Sequence, residues 1–342
     1  MIRFECDYTE GAHPRIIEAL IRTNMEQTKG YGEDEHCENA RKLIREKCGS
    51  ADADVHFLAG GTQTNMTVIA AALRPHQGVV CAESGHINVH ETGAIEATGH
   101  KVLALPSEDG KITADQIKIV CDEHNHDEHM VQPGMVYISN PTENGTLYNK
   151  KELQAISEVC RAYGLFLFLD GARLGYGLAA QGNDITLPDL AQYCDVFYIG
   201  GTKVGALFGE AVVITNEAIK KDFRYFIKQK GGMLAKGRLL GIQFEELFRD
   251  DLYMEVSAHA DRMAMKIKKA FEDKKIPFAY DSITNQQFPI LTYEMAAKLA
   301  EKYSFTMNEA QLRKGPAMVR FCTSWATREE NVEALISDIQ KL

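Results

Sequence analysis

Nothing in this sequence is long and apolar enough to span a bilayer: no uncharged apolar run approaches the ~20 residues that a transmembrane helix needs. Its first residues, Met1-Ile2-Arg3-Phe4-Glu5-Cys6-Asp7, lack the apolar core of a signal peptide. An excess of positive charge is also missing. There are 38 Lys and Arg against 48 Asp and Glu, for a net charge of -10. That balance argues against general affinity for nucleic acid or an anionic membrane, and no basic helix-turn-helix extension accompanies it. The eight cysteines (Cys6, Cys37, Cys48, Cys81, Cys121, Cys160, Cys194 and Cys322) form no CxxC pair. Without a secretion signal, scattered cysteines read as reduced thiols, so a cytoplasmic location is expected. Internal repeats and low-complexity linkers are absent as well.

What is present is an alternation. From about residue 14 to 215, helical and strand patterns follow one another. Pro14 opens a helix with Ile16, Ile17, Leu20 and Ile21 on one side. A second helix runs through Ala40, Leu43 and Ile44 and stops at Gly49; a third is patterned on Leu153, Ile156, Val159 and Cys160. Strands are expected at 55–58, 79–82, 102–105, 135–139, 165–169, 196–199 and 210–214. Strands alternating with helices imply a mostly parallel sheet flanked by helices, with ligands beyond the carboxyl ends of the strands. After about residue 215 the pattern changes. A polar-amphipathic stretch reaches about Asp273, then come strands at 278–280, 288–291 and 317–322 and a final helix with a Thr327/Glu330 capping box. At 342 residues the chain can bury a sizeable core, and this second pattern reads as a smaller α+β domain.

Chemistry concentrates where two apolar strands end. Leu165 to Leu169 runs into Asp170-Gly171-Ala172-Arg173, and Val196 to Ile199 runs into Gly200-Gly201-Thr202-Lys203. An Asp at one strand end and a Lys after the next form the pattern of a pyridoxal phosphate (PLP) enzyme. The Lys amine makes a Schiff base with the cofactor aldehyde, and the Asp carboxylate keeps the pyridine nitrogen protonated. A third element is Leu58-Ala59-Gly60-Gly61-Thr62-Gln63-Thr64-Asn65, where a strand breaks at two glycines and a helix pattern begins. Free N–H groups and a positive dipole end make such a helix start, with Thr62 near its cap, a phosphate site. Ser84-Gly85-His86 follows another strand, and its imidazole is placed to stack on a cofactor ring or polarise a substrate.

With these motifs the chain resembles the low-specificity threonine aldolase/β-eliminating lyase family of fold-type-I PLP enzymes. The resemblance covers essentially the whole chain, through Tyr31-Gly32-Glu33-Asp34, Gly61-Thr62-Gln63-Thr64-Asn65, His86 with Glu91-Thr92-Gly93, Leu169-Asp170-Gly171-Ala172-Arg173, Lys203, Gly231-Gly232-Met233 and Val319-Arg320-Phe321. It implies the α/β fold of the PLP-dependent transferase-like class: an N-terminal arm (1–20) joining the small domain, a large PLP-binding domain (21–235) and a small C-terminal α+β domain (236–342). The implied site has Lys203 as the PLP lysine and Asp170 on the pyridinium. Gly61, Thr62 and Thr202 hold the phosphate, and His86 stacks on the ring. Arg173 reaches the cofactor or the substrate carboxylate, Arg320 grips that carboxylate, and Asn140 touches substrate. The implied reaction cleaves the Cα–Cβ bond of a β-hydroxy-α-amino acid, converting threonine or allo-threonine to glycine and acetaldehyde. A homodimer or homotetramer with active sites at the interface is implied too.

The chain departs from the family pattern in places. Those enzymes carry Glu-Asn-Thr-His where this chain reads Ser139-Asn140-Pro141-Thr142-Glu143-Asn144, so Thr142 takes the place of the His linked with the substrate hydroxyl. His90 or His13 are the substitutes considered. Cys6 stands where a Ser often helps hold the carboxylate, and Lys228 or Lys236 replaces a missing phosphate-binding Arg. These differences keep a second reaction open, β-elimination to pyruvate and ammonia. A metal site is not expected: His124-Asn125-His126-Asp127-Glu128-His129 matches no standard zinc spacing and reads as a solvated loop.

Overall fold

A computed structural model of the chain describes residues 1–124 and 127–342. Seven strands build the main sheet: β1 (Asp54–Leu58), β2 (Gln77–Ala82), β3 (Val102–Leu105), β4 (Gln132–Ser139), β5 (Phe166–Asp170), β6 (Val196–Gly200) and β7 (Glu210–Ile214). Their order is β1-β7-β6-β5-β4-β2-β3, and only β7 runs against its neighbours. This is the mostly parallel α/β sheet expected from the alternation.

Successive side chains of a strand point to opposite faces, so a doubly covered sheet splits into two cores. Val136, Ile138, Leu167, Leu169, Phe197 and Ile199 enter one apolar cluster; Met135, Tyr137, Phe168, Val196 and Tyr198 enter the other. Asp170 follows Phe168 by two residues and therefore shares its face with Tyr137 and Tyr198. β5 and β6 come unusually close at their carboxyl ends. A Cβ on Gly171 would lie 1.9 Å from the Tyr198 carbonyl oxygen, so only glycine fits there.

Local signals fix the flanking helices. Asp34 accepts a hydrogen bond from the Cys37 N–H and caps Glu35–Cys48, which Gly49 ends with φ +60°. Asn149 and Glu152 form a capping box for Lys150–Tyr163. Gly61–Ala72 differs: its cap is Gly60, no side chain covers its first N–H groups, and Thr62 sits in the first turn, two residues after the cap.

A third cluster gathers Phe4, Met263, Phe271, Leu291, Tyr303, Val319, Phe321 and Leu335. It lies around Ala317–Cys322, which pairs antiparallel with Gln286–Gln287, Ile290–Leu291 and Thr306–Met307. Ile2–Arg3 pairs with Tyr303–Ser304 and ties the start of the chain to this unit, while Ile16 enters the main core. The long helix Leu252–Asp273 serves both units: Leu252, Val256 and Ala260 pack under the main sheet, Met263 and Ile267 in the smaller core. Two local expectations fail. The 278–280 segment makes only an isolated bridge, Phe278 to Pro289. The Thr327/Glu330 capping box does not form: Arg328 occupies the cap of Glu329–Ile339, and the Thr327 hydroxyl accepts instead from the Ser324 N–H. No helix among the described residues is long and apolar enough to cross a membrane.

Candidate active site

Beyond the carboxyl ends of β1, β2, β4, β5 and β6 lies a cleft of about 920 Å³, closed on its far side by Met318 and Arg320 of the smaller unit. Gly61, Thr62, His86, Asp170, Arg173, Thr202, Lys203 and Arg320 all line it.

Asp170 is the most heavily bonded group there. Its Oδ2 accepts from the Tyr137 hydroxyl at 2.5 Å and the Asn65 amide at 3.2 Å. Its Oδ1 accepts from the Tyr198 hydroxyl at 2.5 Å and the Ala172 N–H at 2.9 Å. Four donors thus converge on one buried carboxylate and fix its orientation. The two tyrosines come from the strands on either side of β5 and are buried, which pushes their hydroxyls well above the usual tyrosine range. Asn65 also donates to Glu91 Oε1 at 2.7 Å, and the same oxygen meets His86 Nδ1 at 2.8 Å. Burial disfavours a charged His86, but the Glu91 contact and the Asp170 charge prevail and lift the imidazole above its ordinary value.

Lys203 leaves β6 after Thr202. Among the described residues its amine has neither an ion pair nor a hydrogen-bond partner. Burial and the nearby Arg173 charge hold it below the ordinary lysine range, against the pull of Asp7, Asp170 and Glu210. The Thr202 hydroxyl donates to Glu210 Oε1 at 2.9 Å, and Glu210 Oε2 accepts from the Gly201 N–H. Glu210 stands opposite Leu58 in the β1–β7 register, two residues before Gly60.

The two arginines differ. Arg173 makes a two-pronged contact with Asp7 of the N-terminal arm, at 2.6 and 3.0 Å; Asp7 is fully buried and Arg173 mostly so. Burial pushes the Asp7 carboxyl up, but Arg173, Lys203 and Asn285 outweigh it and hold it low. Arg320 meets only neutral acceptors: Gln286 Oε1, the Glu5 carbonyl and Thr306 Oγ1.

Other expected residues lie elsewhere. Asn140 is buried and accepts from the Tyr148 N–H, so it shapes a loop rather than the cleft wall. Thr142 is bound to Thr146 at 2.6 Å. His13 caps the first helix and packs on Trp325, whereas His90 does line the cleft. Lys228 lies over the Tyr31 ring, and neither it nor Lys236 reaches this chain's cleft. Of the histidine-rich segment, Asn125 and His126 lie outside the described residues; His124 Nδ1 bonds the Val131 carbonyl. No group of three metal-binding side chains occurs among the described residues.

The cleft residues suit PLP: a buried carboxylate acceptor for a pyridinium, an unpartnered, half-buried lysine and an uncapped helix start for a phosphate. The Ser84 hydroxyl and Arg320 Nε line the same cleft as buried polar atoms without a protein partner. Such groups are costly to leave unmet, by about 1–3 kcal/mol each, and a polar ligand meets them.

Fold and site together are those of a fold-type-I PLP-dependent enzyme. Residues 4–304 match the model of the beta-eliminating lyase family, and the chain belongs to that family. The low specificity L-threonine aldolase of Pseudomonas aeruginosa is 30% identical, over 99% of this chain and 97% of its own length. The solved threonine aldolase of Leishmania major is 48% identical, with a TM-score of 0.98 over 100% of this chain and 99% of that one. An aspartate aminotransferase of Thermus thermophilus shares the fold, at a TM-score of 0.75 and 14% identity, over 100% of this chain and 91% of that one.

Proposed function

We propose that this chain cleaves β-hydroxy-α-amino acids between Cα and Cβ, taking L-threonine or L-allo-threonine to glycine and acetaldehyde. The observation that carries the reading is the whole-length similarity to threonine aldolases, joined to a cleft lined by the buried Asp170, a partnerless Lys203 and an Arg320 with no counter-ion. The enzyme is PLP-dependent, and bound PLP supplies a place for the electron pair of the broken bond.

Each side chain has a task. Lys203 Nζ binds the cofactor covalently and moves a proton at the substrate Cα; its lowered basicity favours the free amine. Asp170, clamped by Tyr137, Tyr198, Asn65 and Ala172, holds the ring nitrogen. The N–H groups at Gly61 and Thr62 take the phosphate, with Thr202 once Glu210 releases its hydroxyl. His86 lies against the ring. Arg320, with no counter-ion of its own, takes the substrate carboxylate. That grip would fix the orientation of the substrate Cα, and with it which of its bonds is positioned to break. Arg173 is committed to Asp7 and orients the cleft through the arm.

We further read the long helix Leu252–Asp273 as the joint between two domains, which moves the boundary from residue 236 into that helix. We also propose a cytoplasmic homodimer or homotetramer. Exposed Ile21, Met25 and Tyr225 support it, as does the placement of Lys228 and Lys236 outside this chain's own cleft. Holoenzyme incubated with threonine, allo-threonine or phenylserine should release glycine and the matching aldehyde. Pyruvate and ammonia from serine, with no glycine from any of the three, would replace this reading with β-elimination.

A further inference from the structure

Cleavage requires a group that takes the β-hydroxyl proton as the Cα–Cβ bond breaks, and apart from His86, whose Nδ1 is held by Glu91 and whose ring is assigned to the cofactor, the histidines considered for it offer no good candidate. Thr142 replaces the family histidine and is turned into its loop. His13 lies outside the cleft. His90 is largely exposed, and the partial desolvation of its ring together with the charges of His86, Arg320, Lys203 and Arg173 holds it below the ordinary histidine range, which makes it a weak base.

One residue beyond Thr142, Glu143 does line the cleft, close to His86. Its Oε1 accepts from the Ser139 hydroxyl at 2.8 Å and the His86 N–H at 3.1 Å. Two donors on one oxygen fix the carboxyl group. Oε2 takes no hydrogen bond from a described residue, yet it is not among the buried atoms left without a partner. An anchored carboxylate with one oxygen open to the cleft is the arrangement a proton acceptor needs. We propose that Glu143 is the catalytic base that removes the β-hydroxyl proton, a role that rests on the aldolase reading above.

The step balances. The hydroxyl proton passes to Glu143 Oε2 and the C–O bond becomes a carbonyl. Bound PLP would supply the place for the Cα–Cβ electron pair, and Lys203 Nζ would supply the proton that replaces Cβ on Cα. Aldehyde and glycine leave, and Glu143 gives its proton back to the pool from which Lys203 is recharged. The charged and titratable groups around Glu143 are Cys81 on β2, Tyr137 on β4, Asp170 on β5, His86 and Tyr148. Burial and then the Asp170 charge push its carboxyl up, against Ser139 and His86, so its basicity exceeds that of an ordinary glutamate.

The test compares two reactions of the holoenzyme. Threonine cleavage needs the base, while exchange of a glycine α-hydrogen with deuterated solvent needs Lys203 but no hydroxyl. Glu143→Gln should lower acetaldehyde release from threonine on the order of 10²–10⁴-fold. Glycine exchange, and glycine affinity read by visible absorbance, should hold. Wild-type cleavage should fall on acidification as Glu143 takes up a proton, and this acid limb should be missing in Glu143→Gln. Equal loss of cleavage, exchange and affinity would assign Glu143 a structural role and overturn the proposal. So would full cleavage in Glu143→Gln with the loss appearing in His90→Ala instead. Should Glu143→Gln not fold, Ser139→Ala keeps the carboxylate but drops one anchor; its acid limb should move to higher pH, and an unmoved limb overturns the proposal. Absence of acetaldehyde from the wild-type enzyme would sink the aldolase reading itself, and the role of Glu143 with it.

Discussion

The two walls of the cleft are built on opposite plans. On the main-sheet side, apart from the Lys203 amine, the principal charges are answered: Asp170 has four donors, Glu91 is shared by Asn65 and His86, and Arg173 is forked onto Asp7. On the small-domain side Arg320, on the central strand Ala317–Cys322, has only neutral acceptors around it. A charge that has its partner in the free protein contributes to stability. A charge without one is available to a ligand, and its desolvation is offset when the ligand arrives. The contrast assigns the first wall to holding a cofactor in one orientation and the second to gripping a substrate that comes and goes.

Substitutions can break this contrast, the most severe first. Lys203→Ala should remove both the visible absorbance of the lysine-bound cofactor and activity, with a loss beyond the 10²–10⁴-fold or so that proton transfer alone supplies. Retention of the absorbance would move the covalent attachment elsewhere. The two arginines should then diverge. Arg173→Ala strands the buried Asp7 carboxylate, and losing one partner of a buried pair destabilises by about 3–5 kcal/mol, visible as a marked fall in Tm. Arg320→Ala should leave Tm nearly intact but raise KM for threonine, by about 2 kcal/mol or more, roughly 30-fold. Matching Tm losses in the two variants would erase the distinction between the walls. Tyr137→Phe should act between these extremes. It removes one hydrogen bond to the buried Asp170 carboxylate, worth about 1.5–3 kcal/mol, and should weaken PLP binding measured by equilibrium titration without changing KM for threonine.

These tests also show what a single sequence can convey. Asp170, Lys203 and the Gly60-Gly61-Thr62 turn were legible because each sits where a local pattern ends, and an α/β sheet brings such ends to one edge. Tyr137 and Tyr198 were not, because both look like core aromatics of apolar strands. Only the register that sets Tyr137 beside Phe168, and the shared face with Asp170, reveals what their hydroxyls serve. The Asp7–Arg173 pair joins residues far apart in the chain, and no local signal connects them. Asn140 was assigned to substrate from its motif, yet the backbone at Tyr148 takes its side chain. Thr327 and Glu330 have capping-box spacing, but the chain turns at Ser324 and uses the threonine there.

The smallest expected effect lies within the wired wall, at its one electrostatic fault. Glu210 is a buried acid beside the helix start assigned to the phosphate, and burial pushes its carboxyl up to about 8 although Thr202, Lys203 and the Gly201 N–H favour the ion. Its pKa is thus higher folded than unfolded, so between about pH 5 and 8 the folded state binds more protons and stability falls as pH rises. Below that window Glu210 is protonated in both states, and above it ionised in both, so the slope it contributes vanishes. Glu210→Gln carries no such proton. It should therefore gain in Tm relative to wild type as pH is raised from 5 to 8, by several degrees at most, and the gain should level off above 8. The same substitution should strengthen PLP binding at pH 8 more than at pH 6, because an ionised Glu210 repels the phosphate and keeps the Thr202 hydroxyl for itself. A difference in Tm that does not change with pH would show that the proton resides on Lys203 instead, and that this wall of the cleft is compensated throughout.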